Sequence, residues 1–187
     1  DIRLLHNFNE KHQLATRLIG GIIYSYGNKT SAPYSEQFYV GGANSIRAFT
    51  IRSIGPGSFH PKESAAYSYV DETGDLKLEA NAEYRFRLLS NLAGGNLNGA
   101  VFLDAGNVWL LRDDPARPGA QFTLDKFFDH IALGTGVGIR YDMSFIVLRL
   151  DMGIALHVPY ETGKGGYYNI PRFKDGLGIH FAIGYPF

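Results

Sequence analysis

One guanidinium and two carboxylates stand out in this sequence because of the residues around them. Arg47 lies in a run with Phe38, Gly41, Gly42, Asn44, Ser45, Ala48 and Phe49. Asn81, Glu83 and Arg85 occupy alternate positions further on, and so do Phe102, Asp104 and Gly106. Alternate residues on a strand share a face, so the polar side chains of each trio point one way. Two chemistries fit them. Glu83 and Asp104 have the composition of an acid/base pair. They also suit a structural network with Lys77, Arg85 and Arg149, in which carboxylates hold guanidinium groups in fork geometry. The crowd of cations favours the network.

Other chemical signals are weaker. Gly134, Gly136 and Gly138 give a glycine spacing like that of a phosphate loop, without the strand-turn-helix context or the acidic residue that follows one. The six histidines, at 6, 12, 60, 130, 157 and 180, have no metal-ligand spacing. With no cysteine there are no disulfides, thiolate metal sites or cysteine nucleophiles. No cofactor is expected. The 18 basic and 18 acidic residues cancel, so no global field favours nucleic acid.

The elements that must position these residues read as strands. At 187 residues the chain has the length of one domain, with 19% charged and 14% aromatic residues. Strands are expected over 2–8, 13–26, 76–88, 97–109, 130–141, 144–157 and 175–187. Short turns at 9–12, 90–96 and 142–143 alternate with long connections at 27–74, 110–128 and 158–174. In 76–88, Leu76, Leu78, Ala80, Ala82, Tyr84, Phe86 and Leu88 oppose Lys77, Glu79, Asn81, Glu83, Arg85 and Arg87. That run exceeds the ~9–11 residues a tilted strand needs to cross a bilayer. No apolar run approaches the ~20 residues of a membrane helix. Loops sorted by length in this way are the pattern of an up-and-down outer-membrane barrel.

A membrane barrel turns its apolar face to lipid and its polar face inward. Three features favour that inversion over a soluble sheet. Small residues crowd the polar face of the late strands (Gly134, Gly136, Gly138, Gly176, Gly178, Ala182 and Gly184), as close packing of a loop would require. Aromatics gather at strand ends (Tyr24, Tyr26, Phe86, Trp109, Tyr141 and Tyr185), as in interface girdles. The alternating Phe181, Ile183, Tyr185 and Phe187 resemble the terminal signal that outer-membrane barrels present to their assembly machinery.

Taken in order, the loop run and the two strand trios resemble the carboxy-terminal barrel of the BamA/TamA family of outer-membrane assembly proteins, over essentially the whole chain. The resemblance implies an all-β, antiparallel transmembrane barrel of which seven or eight strands are present, the C-terminal half of sixteen. It implies that residues 27–74 form an extracellular loop entering the lumen. The tip Arg47, Ala48, Phe49 would rest against wall partners Asn81, Glu83, Arg85, Phe102, Asp104 and Gly106. A guanidinium taken from water into a lumen needs a carboxylate, which Asp104 or Glu83 can supply, while Gly106 leaves room for the loop. Ala48 stands where the family has glycine, which costs ~1 kcal/mol or more if φ is positive.

The chain opens inside a strand pattern at Ile2–His6 and is read as a piece of a longer protein lacking amino-terminal periplasmic repeats and the first strands. The implied function is non-enzymatic: insertion or translocation of unfolded outer-membrane proteins in the bacterial outer membrane, by templating at a weak barrel seam beside possible accessory proteins. No constellation like that of omptin proteases or lipid-A-modifying barrels is present. The alternatives are a two-partner-type secretion pore and the barrel anchor of a fused surface enzyme. Seven strands leave two open edges in lipid, so the piece is expected to curl closed, with an eighth strand around Ala65–Val70, or to pair with another copy.

Overall fold

The computed structural model describes residues 1–27, 32–61 and 72–187. The period-two stretches form one seven-stranded antiparallel sheet in sequence order: β1 (Ile2–Asn9), β2 (His12–Ile22), β3 (Leu76–Leu92), β4 (Gly95–Trp109), β5 (Ala132–Asp142), β6 (Val147–His157) and β7 (Leu177–Ile183). A single helical turn, α1 (Phe127–His130), precedes β5. The expected strands are all present, with shifted ends. β3 runs on to Leu92 because Ala93 and Gly94, at φ 46° and 85°, make a two-residue hairpin of the type whose twist matches the strands. β2 stops at Ile22, which pairs with Leu76, the first residue of β3. β7 stops at Ile183 because Gly184, at φ 86°, turns the chain.

The sheet is inverted relative to a soluble one. Glu83, Asp104, Arg140 and Asp151 on one face have no solvent exposure, whereas Ile179, Phe181 and Ile183 on the other are about two-thirds exposed. We call the first face inner. Its residues fall in register across the strands: Asp104 between Asn81 and Gly134, Phe102 between Glu83 and Gly136, and then Gly136, Gly153 and Gly178 side by side. A trough without side chains thus crosses β5, β6 and β7.

Residues 38–57 lie along the inner face, with the backbone of Arg47 and Ala48 seated over Gly153 and Gly178 and the Phe102 ring over Gly136. Their apolar side chains Val40, Ile46, Phe49 and Ile54 form the core with Val108, Ala132, Ala155, Val158 and Ile170 at the long-loop end. A Cβ on Gly153 would stand 2.7 Å from Ala48 Cα, and one on Gly178 would stand 3.1 Å from the Ala48 carbonyl oxygen. These glycines therefore seat the backbone of the loop. Gly138 instead leaves room for the Arg140 and Asp151 side chains.

Two expectations change. Within the described residues β1 pairs only with β2 and β7 only with β6, so the sheet stays open. An eight-stranded barrel has room for its own side chains alone, and here a stretch of backbone already occupies the inner face. The expected eighth strand at Ala65–Val70 lies outside the described residues. Trp109 is no girdle residue either: it is wholly buried, stacked on Phe127 at 5.9 Å, with its Nε1–H directed at His130 Nδ1 at 3.3 Å. Tyr24 and Tyr26 are exposed as expected.

Adding side-chain bulk beneath the loop should unseat it. Gly153→Val is expected to destabilise the seated loop by ~1–3 kcal/mol, the usual range for overpacking. Faster proteolysis within residues 40–55, with the barrel's heat-modifiable gel mobility retained, is the measurement.

Candidate functional site

The loop is shaped before it is fastened. Phe38 and Gly74 exchange both backbone hydrogen bonds at 2.9 Å, closing the base of the excursion. Gly41 and Gly42 take φ of 94° and 90°, and a Cβ at Gly41 would run into the Thr50 carbonyl. Only glycine suits that turn. The Gly42 N–H donates to the Phe49 carbonyl at 2.8 Å, and the Gly41 N–H donates to Ser45 Oγ at 3.0 Å. Residues 42–49 form a closed knuckle with Arg47 at its tip.

Arg47 has no solvent exposure. Its Nε and Nη2 donate to the two oxygens of Asp104 at 2.8 and 2.9 Å, and its backbone N–H donates to Asp104 Oδ2 at 3.0 Å. Nη1 donates to Glu83 Oε2. The guanidinium plane lies over the Phe102 ring, 3.7 Å from its centroid. Both carboxylates left open by the sequence thus serve, Asp104 as the fork and Glu83 as the flank. Asn81 donates to Asp104 Oδ1 at 3.0 Å and to the Ser45 carbonyl at 3.1 Å, joining wall and loop a second time. The Ser45 hydroxyl donates to Glu79 at 2.7 Å, and Lys77 bridges Glu79 and the Tyr39 carbonyl, each at 3.0 Å.

Glu83 is shared further. Arg85 Nε reaches its Oε1 at 2.7 Å and Arg140 Nη2 reaches its Oε2 at 2.8 Å. Arg140 then meets Asp151 at 2.6 Å, and Arg149 donates to Asn44 Oδ1 at 2.6 Å. The result is a continuous array of alternating charge running from β3 to β6 with the loop tip in its middle. Each carboxylate of this array faces at least one guanidinium group, an arrangement that suits a fastening.

Sequence comparison agrees with this picture. The profile of the Omp85 superfamily domain matches residues 2–187. The chain belongs to the Omp85 superfamily. An outer membrane protein assembly factor BamA from Nitratidesulfovibrio vulgaris is 26% identical over 181 residues, covering 97% of this chain and 20% of that protein. Its namesake from Neisseria meningitidis is 30% identical over 89 residues, 48% of this chain and 11% of that protein. The chain therefore spans a fifth or less of the length of these relatives.

Several site residues sit otherwise than expected for this Omp85 member. Ala48 does not have positive φ, so it carries no left-handed strain. Its methyl group occupies the space that a Cβ on Gly134 would fill. Gly106 makes no room for the loop: a Cβ there would lie 2.9 Å from Glu79 Cα on the neighbouring strand. Phe181 and Ile183 face outward, but beyond Gly184 the chain turns to the inner face, placing the Tyr185 ring 4.5 Å from the Arg85 guanidinium. The terminal alternation is thus split between the two faces. Gly134, Gly136 and Gly138 lie within β5. Arg140, Asp151 and Gly153 were missed as site residues, and the signal for them was available, since all three fall on the inner register of β5 and β6.

Removing the guanidinium leaves Asp104 buried beside Glu83. Arg47→Ala is expected to cost ~3–5 kcal/mol of loop anchoring, measured as protease susceptibility within residues 40–55. Unchanged susceptibility would mean that the ion pair does not hold the loop.

Proposed function

We propose that the chain is the C-terminal part of the transmembrane barrel of an outer-membrane protein assembly factor, with residues 27–74 as its lumen-inserted extracellular loop. The observation that carries this reading is the loop tip fastened by Arg47 to Asp104 and Glu83 on adjacent strands, in a chain whose superfamily match runs over residues 2–187. The curated relatives bear the name of assembly factors. A face of exposed Ile179, Phe181 and Ile183 suits a bilayer, and the outer membrane is the location this reading assigns.

On this reading the work is conformational. Loop and wall hold the lumen side rigid, while sheet edges offer unpaired backbone groups to an incoming strand. Unfolded outer-membrane proteins are the substrates, with accessory assembly proteins as further partners of the parent protein. No covalent step is involved, and the buried charge array supplies rigidity rather than proton transfer.

The test uses the full-length protein in liposomes and follows the folding rate of a urea-unfolded barrel protein added from outside. Acceleration is expected, with most of it lost in Arg47→Ala. If no barrel substrate folds faster, the reading fails, and polypeptide export through the pore is the activity to assay.

A further inference from the structure

Arg85 touches more partners than a lock residue needs. It is 8% exposed, and its Nε is bonded to Glu83 Oε1 at 2.7 Å. Its Nη1 donates to Gln13 Oε1 at 3.2 Å, and its Nη2 donates to the backbone oxygen of Phe187 at 3.3 Å. The Tyr185 and Phe187 rings stand 4.5 and 5.8 Å from its Cζ. The segment that supplies these contacts leaves the sheet at Gly184, whose N–H bonds the Val147 carbonyl at 2.8 Å. Nothing lies within 4 Å of a Cβ built on Gly184, so packing does not force the turn there. On the other side Arg85, Gln13, Asp142 and Tyr185 line a cavity of about 710 Å³ at the tight-turn end.

We infer that Arg85 is a positioning residue that couples the seated loop to the inward-turned segment 184–187, so that release of either loosens the other. The path is short: Asp104, Arg47, Glu83, Arg85, then residues 185–187, and the Phe187 ring also lies 5.9 Å from the Arg47 guanidinium. Glu83 has one oxygen on Arg85 and the other on Arg47 and Arg140, so Arg85 fixes the rotation that presents Oε2 to Arg47. The turned-in segment covers Arg85 and removes water from the Arg85–Glu83 pair, which strengthens it. If the segment swings away, Arg85 loses an acceptor and two ring faces and faces the water-accessible cavity. Coupling of this kind acts equally in both directions. The inference does not depend on the assembly reading, because neither readout below involves a substrate.

The experiment uses the full-length protein in lipid vesicles with two reporters, one on the loop and one on the segment. Loop seating is read as the cleavage rate within residues 40–55, and segment position as the ¹⁹F resonance of a fluorotyrosine at 185. Arg85→Lys keeps the charge and loses the fork, while Tyr185→Ala removes the ring that stands beside Arg85. Each is expected to speed loop cleavage at least about fivefold, the lower end of ordinary coupling between sites. Arg47→Lys is expected to shift the resonance at 185, and because the Phe187 ring also lies near Arg47, that shift should be largely lost in the Arg85→Lys background. Should Tyr185→Ala leave cleavage unchanged, or the resonance at 185 ignore Arg47→Lys or respond to it equally in the Arg85→Lys background, Arg85 does not carry the coupling and is a local brace.

Discussion

An arginine cannot shed its charge, so burying one commits its surroundings. Arg47 is wholly enclosed, and its desolvation is tolerable only because a carboxylate fork, a second carboxylate and an aromatic face meet it together. Asp104 and Glu83 must therefore sit on adjacent strands in fixed register, and Phe102 must lie directly opposite Glu83. The backbone carrying Arg47 must come within bonding distance of the wall, which requires a trough. Gly153 and Gly178, side by side on β6 and β7, make one.

The same constraint accounts for the two-faced sheet. A protein that fills its interior with paired charges and a folded-back loop has its large apolar side chains left for the outside. In water that arrangement would be unstable, and against hydrocarbon it is the favourable one. Gly153 and Gly178 weaken their strands and return that cost by letting the loop backbone close on the wall. Ala48 shows how local the fit is. Its extra methyl is absorbed by the missing side chain of Gly134 across the interface.

Much of this was legible in the sequence, for reasons that differ by residue. Strand identity follows from strict alternation in runs such as Leu76–Leu88, where every second residue is charged or polar. That Arg47 would meet Asp104 or Glu83 was readable from the family resemblance and from the need of a buried guanidinium for a carboxylate, though not which of the two would serve. The sharing of Glu83 among three arginines was not, because Arg140 reaches it across two strand pairings whose register no local pattern reports. Gly106 looked like a space for the loop, yet the space it preserves is for the neighbouring strand. The terminal run Phe181 to Phe187 alternates without interruption on paper. Only the positive φ at Gly184, a choice glycine permits without announcing, separates its two halves.

The central claim is that the Arg47–Asp104 pair fastens the loop to the wall as a unit. A double-mutant cycle with Arg47→Met and Asp104→Leu, read by amide hydrogen exchange of residues 44–49 in the membrane-embedded protein, tests it most directly. The account predicts that each single change opens the loop severely, because it strands a buried charge. The double change should be much milder than the sum, with a coupling energy of about 2–3 kcal/mol. Additive effects would show that the two residues act separately and that something other than their pairing seats the loop.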